Sequence, residues 1–186
     1  MEIKRASPED YPGILQIQAA NYVGNLSENE RLGGYLSAEY TVEQMAEMAA
    51  DPTVIVAREG NHILGFLCSS RPDFSQQPPV VTRMIQEFER THFQGRLMNS
   101  YRWFLYGPVC IDRLQRGRGL LRKLYGALIE EVSGKYEVGV AFIADDNEHS
   151  FLVHVDGLGM TQVGKVEHRG HNYHILAFSI PANNQR

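Results

Sequence analysis

Apolar positions along this chain recur with two different periods, and the places where the period changes mark out its elements. From Leu120 the apolar residues are Leu121, Leu124, Tyr125, Leu128, Ile129 and Val132, the three-and-four spacing that gives a helix one apolar stripe. Residues 53–70, TVIVAREGNHILGFLCSS, are two β-branched and apolar runs joined around Gly60-Asn61, which predicts a hairpin. A second hairpin is predicted at the end, over 161–180. Short strands are predicted at EIKRA (2–6), YRWFLYGPVCID (101–112) and YEVGVAFIA (136–144). Ser7-Pro8 opens a helix over 7–22, with Ile14, Leu15 and Gln18 a turn apart. A second short helix, 41–50, is stopped by Asp51-Pro52. Behind Pro79 the spacing of Val80, Val81, Met84, Ile85 and Phe88 predicts another within 76–92, and NEHSFLVHVDGLGM (147–160) reads as a helix with an Asn start and a Gly stop. There is no internal repeat, low-complexity segment or linker. The expectation is a mixed α/β (α+β) fold in one domain, residues 1–186.

Composition narrows the function classes. With 43% hydrophobic residues in 186, the chain can bury a sizeable single core. Lys plus Arg number 18 against 22 for Asp plus Glu, a net charge of −4, which argues against a nucleic-acid partner. Cys68 and Cys110 are the two cysteines and form no paired motif, which points to a reducing compartment. No apolar run reaches the ~18 residues of a membrane span, and the start has no signal-peptide core. A soluble, cytoplasmic protein without a membrane partner is expected.

One stretch runs against local physics. QRGRGLL, Gln115 to Leu121, places Arg116, Arg118 and Arg122 at the start of a helix, the end that already carries partial positive charge. Gly117 and Gly119 add a backbone-entropy cost. Strand, glycine turn and helix start together make an anion cradle, and a bound pyrophosphate would turn the two arginines into partners. A solvated helix start remains the bland alternative. The stretch lacks the Gly-Lys-Ser/Thr ending of a nucleotide P-loop, and Arg122 stands where a dinucleotide fingerprint needs its third glycine. Upstream, Gly107-Pro108 inside a strand predicts an edge or a bulge.

RGRGLL after VCIDRLQ resembles the acetyl-CoA motif of the GNAT superfamily of N-acetyltransferases, Arg/Gln-x-x-Gly-x-Gly/Ala. Arg116 takes the first position and Gly119 the glycine, and Leu121 departs from the final small residue. DDNEHSFLVHVDGLGM resembles the superfamily's later Asn-started helix, with Met160 for its closing aromatic, and the order of elements is similar over nearly the whole chain. The resemblance implies a mostly antiparallel central sheet flanked by helices and acetyl-CoA as cosubstrate. It implies that Val109, Cys110 and Ile111 meet the pantetheine arm and the thioester. Gln115, Arg116, Gly117, Arg118, Gly119, Leu120 and Leu121 would meet the pyrophosphate. Asn147 would touch the pantetheine arm, an N-cap role being equally open.

Amine attack on a thioester needs oxyanion donors, a proton acceptor and an acid for the leaving thiolate. Asp145, Asp146 and His149 are candidate proton acceptors. Relatives often carry a tyrosine on the later helix as the acid; here counting back from Met160 puts Val155 at that position, and the adjacent His154 is the candidate acid, a hydrogen-bonded core histidine being the alternative. Cys110 in an apolar strand reads as packing rather than a nucleophile. His168, His171 and His174 fall on both faces of a hairpin, so no metal site is expected. The aromatic stretch Tyr101, Trp103, Phe104 and Tyr106 reads as core and pocket wall. Acceptor specificity is expected from residues 21–40 and from the insertion 72–100, with Tyr35, Glu39 and Phe74 as candidate acceptor contacts. The reading is an N-acetyltransferase acting on a primary amine of a small molecule. A non-catalytic acyl-CoA-binding module and a protein lysine or N-terminal acetyltransferase are the alternatives, and a homodimer is left open.

Overall fold

The computed structural model describes residues 1–75 and 77–182. Strands β1 (Glu2–Arg5), β2 (Pro52–Glu59) and β3 (His62–Ser70) form an antiparallel unit, and the β2–β3 hairpin is the one expected from residues 53–70. β6 (Trp103–Ile111) joins β3 antiparallel, β7 (Val138–Ala144) joins β6 in parallel, and β8 (Thr161–His168) and β9 (His171–Ser179) close the sheet. The seven strands lie in the order β1-β2-β3-β6-β7-β9-β8, with β6–β7 as the parallel pair. A separate two-stranded piece, β4 (His92–Phe93) and β5 (Arg96–Leu97), lies in the insertion before β6.

Helices cover both faces, which is why β2 is buried along most of its length rather than alternating. On one face α5 (Leu120–Val132) lays Leu120, Leu124, Leu128 and Val132 against Ile55, Ala57, Leu67 and Phe104. Leu124 and Leu128 are fully buried, each worth about 1.5–3 kcal/mol against exposure. On the other face α1 (Tyr11–Asn21) and α3 (Val42–Ala50) cover Val54, Val56, Phe66 and Cys68. The far half of that face is covered by α4 (Pro79–Glu87), whose Val80, Val81 and Met84 meet Leu105, Val138, Val140 and Ile175. α4 is the helix expected behind Pro79; the first residue of the predicted segment, Gln76, lies outside the described residues.

Three local expectations change. The first helix begins as a 3-10 turn, Pro8–Asp10, before α1. A short α2 (Glu28–Arg31) stands in the polar stretch after α1, made by a Ser27–Glu30 capping box. The helix predicted over 147–160 is α6 (Glu148–Leu152) followed by a π turn, Val153–Gly157. There the His154 imidazole reaches the Ser150 carbonyl, the oxygen its own N–H would use in an α-helix.

Candidate active site

β6 and β7 pair only from Trp103 to Leu105 against Val138 to Val140, then part. β6 departs from β3 as well, because Gly107 and Pro108 stand opposite Cys68 alone. Gly107 has φ +109°, a conformation other residues adopt only with strain. The Gly-Pro step is thus a bulge in an inner strand, not an edge. The gap between the strands is a wedge with a cavity on each side. One is a groove of about 430 Å³ lined by Val109, Cys110, Ile111 and the turn 115–121 without Arg118; the other is a smaller cavity of about 100 Å³ lined by Tyr35, Tyr40, Tyr106, Pro108 and Asn147. Tyr35, Leu36, Val109, Ser150 and His154 line both. Among the described residues, no Asp or Glu lines either one.

The groove ends at the glycine turn before α5. Gly117 (φ +75°) and Gly119 (φ +72°) have left-handed backbone, and a Cβ on either would meet nothing within 4 Å. An anion can therefore approach the backbone of this helix start closely. The arginines divide their work. Arg116 donates to Ile111 O (3.1 Å), Gly33 O (2.6 Å) and Asn21 Oδ1 (2.9 Å), so its guanidinium faces protein and ties the turn to the chain after α1. Arg122 donates to Gly157 O at 2.7 Å. Arg118 is exposed at the rim and touches Gln115 Oε1 at 3.1 Å.

The segment Gly33 to Leu36 roofs both cavities. Arg116 holds Gly33, Asn147 Nδ2 donates to Tyr35 O at 2.9 Å, and the Tyr35 hydroxyl donates to Asp146. Asn147 is buried, yet its Oδ1 has no hydrogen-bond partner among the described residues. A buried carbonyl oxygen left unpaired costs about 1–3 kcal/mol.

Where the cavities meet, His154 is buried and doubly bonded. Nδ1 lies 2.6 Å from Ser150 O, and Nε2 lies 3.1 Å from the Tyr106 hydroxyl. The Ser150 hydroxyl stands farther from Nδ1, at 3.5 Å, and the closer carbonyl only accepts, so Nδ1 carries the proton and Nε2 accepts from Tyr106. Burial pushes the imidazole pKa below 6.5, ahead of the opposing Ser150 bond and of the His149 charge. This histidine is neutral at rest, with no proton on the nitrogen that faces Tyr106. An imidazole in this state must gain a proton at Nε2 before it could serve as the acid expected from the sequence.

No protein-family model matches the chain, and no curated protein matches it significantly in sequence. Solved structures match along its whole length. An N-acetyltransferase from Staphylococcus aureus superposes with TM-score 0.64 at 19% identity, covering 97% of this chain and 98% of that one. An acetyltransferase of the GNAT family from Bacillus cereus superposes at 0.58 and 16% identity, with 96% of each chain covered. This is the GNAT fold. A third example, the yncA protein of Salmonella typhimurium solved with its cofactor acetyl-CoA, covers all of this chain and 97% of its own at TM-score 0.61 and 18% identity.

Within this GNAT fold most of the residues picked from sequence come together. Val109, Cys110, Ile111, Gln115, Arg116, Gly117, Gly119, Leu120 and Leu121 line the groove, and Arg118 stands just outside that lining. Tyr35, Asn147 and His154 line the smaller cavity. Two acceptor candidates do not. Glu39 is exposed and lines neither cavity, although its neighbours Ala38 and Tyr40 line the smaller one, and Phe74 is 6% exposed in the α1–α3 core with Tyr40 tilted against it. Burial lifts the Cys110 thiol to about 11, so it stays protonated and packs rather than attacks. Asp145 is engaged by His174 and Lys165, and Asp146 by Tyr35, while His149 lines the groove. His168 and His171 face each other across the β8–β9 turn. The roof Gly33–Leu36 and the pairing of Tyr106 with His154 were not legible beforehand, because each joins segments far apart in sequence. No described helix is long and apolar enough to cross a membrane.

Proposed function

We propose that the protein is an acetyl-CoA-dependent N-acetyltransferase that acts on a primary amine. The observation that carries this is the junction at the wedge: a long groove ending in an open glycine turn meets a small cavity at Val109, Ser150 and His154. The groove suits a long thiol cosubstrate with an anionic end, and when bound that cosubstrate supplies the thioester. Gly117 and Gly119 receive the pyrophosphate on backbone N–H groups, with Arg118 at the rim. Val109, Cys110 and Ile111 border the pantetheine arm, and Asn147 Oδ1 accepts an N–H. The size of the second cavity, about 100 Å³, supports a small acceptor rather than a folded protein segment. Its lack of lining carboxylates suits an amine entering as the neutral base, although a free ammonium has a pKa near about 10. His154 then takes the proton released on attack.

Calorimetry with acetyl-CoA, and a panel of primary amines followed by release of the CoA thiol, test the proposal. Micromolar acetyl-CoA binding and turnover of at least one amine above hydrolysis are expected. Binding with silence across the panel would make the chain an acyl-CoA-binding module, and no binding would reject the cofactor assignment.

A further inference from the structure

We propose that Tyr106 is a second catalytic residue: its hydroxyl is the path by which a proton moves between the reacting atoms and His154. This rests on the acetyl-transfer reading above. Tyr106 lies on β6 directly before the Gly107-Pro108 bulge and lines the smaller cavity. Its ring is gripped by His154, Phe178 and Tyr125, with centroids 5.4, 5.6 and 6.3 Å away, so the hydroxyl has a defined place. Since the Ser150 carbonyl holds the proton on Nδ1, the Tyr106 proton points at Nε2. The phenol oxygen keeps lone pairs for a donor in the cavity.

Carbonyl, imidazole and hydroxyl thus form a line with the polarity of a general-base relay. As the amine nitrogen bonds to the thioester carbon, its proton passes to Tyr106 Oη while the proton of Tyr106 passes to His154 Nε2. The imidazolium is held by the Nδ1–H bond to Ser150. When the C–S bond breaks, Tyr106 gives its proton to the thiolate and His154 returns one to Tyr106. One proton has moved from nitrogen to sulfur, both side chains are restored, and no further reactant is needed. The coupled transfer also avoids a tyrosinate, which burial makes costly at this site. The titratable groups around His154 are Tyr106 from β6, Tyr125 of α5 behind it, and His149 on its own helix.

The test compares wild type, Tyr106→Phe and His154→Gln. In the free protein, ¹⁵N NMR of labelled histidine over about pH 5 to 8 is expected to show His154 as the Nδ1–H tautomer with a pKa below 6.5. Its Nε2 resonance should move in Tyr106→Phe, which keeps the packed ring. Turnover of acetyl-CoA is measured with benzylamine and with water as acceptor. Tyr106→Phe should lower kcat about a hundredfold with either acceptor and leave the acetyl-CoA Kd within about threefold. His154→Gln should fall similarly and lose the acid limb of the pH profile, which a purely structural role would leave in place. An Nε2–H tautomer, or Tyr106→Phe turnover within about threefold of wild type, overturns the relay. A wild-type protein that fails to bind acetyl-CoA, or is silent with every acceptor, overturns the acetyl-transfer reading instead.

Discussion

Arg116 donates to oxygens from three parts of the chain, those of Ile111, Gly33 and Asn21, and removing it strands all three. Arg116→Ala is therefore expected to destabilise the fold by about 2–4 kcal/mol, since hydrogen bonds to a charged group are worth about 1.5–3 each and their loss is only partly additive. Arg118→Ala, at an exposed position, should change stability by less than about 0.5 kcal/mol while weakening acetyl-CoA binding about tenfold. Urea denaturation and calorimetry on the two variants separate the roles. Sequence alone treats the two arginines as equals, because both stand beside the same glycines. Their division depends on Gly33 and Asn21, which lie more than eighty residues upstream.

At the scale of the element, the wedge depends on how tightly the strands beside it pack. Gly139 on β7 sits between Phe104 on β6 and Phe178 on β9 in the register of the sheet. A Cβ there would lie 2.1 Å from the Phe178 ring. Phe178 in turn packs edge-on against Phe104 and Tyr106, so the missing side chain lets one aromatic ring support the residue that faces His154. Gly139→Ala is expected to cost about 1–3 kcal/mol through overpacking, and to lower turnover by displacing Tyr106. A melting curve and the turnover assay check both effects. The strand itself was legible from its apolar run, but the glycine in it had no evident reason until β6 and β9 were seen on either side.

The whole molecule carries its own pH dependence. Burial holds both His154 and His174 below the usual 6.5; for His174 the Asp145 carboxylate opposes that shift, and Lys165 adds to it. Between their folded pKa values and 6.5 the unfolded chain binds more protons, so stability rises with pH through that window and levels off above it. Asp10 works at lower pH. It is 2% exposed, and burial alone would raise its pKa. The Ser7 bonds and Lys4 outweigh that, so it titrates below its ordinary value. Its contribution is present above about pH 4 and is lost as pH falls through the folded pKa. Arg58 also pairs with Asp10, at 2.8 Å. Stability measured by urea titration should therefore fall in two steps on acidification. His154→Gln should shrink the step just below pH 6.5 and leave the one below about pH 4, whereas Asp10→Asn should do the reverse.

Sequence by itself determined the main strands and helices, their order and the glycine turn, though not α2, the β4–β5 piece or the π turn, because the former are set by local physics: apolar period, capping residues and the conformations open to glycine and proline. The helix stripe from Leu120 to Val132 and the hairpin around Gly60-Asn61 needed no knowledge of their neighbours. Tertiary structure alone decided that β6 parts from β7 after Leu105, that residues 33–36 roof the site, that Phe74 belongs to the core, and that Arg116 faces protein. It also decided the surroundings of His154: one ring nitrogen meets a carbonyl and the other a hydroxyl, and the hydroxyl comes from a strand 48 residues away. Such pairings depend on distance through space, which no period or spacing along a chain encodes.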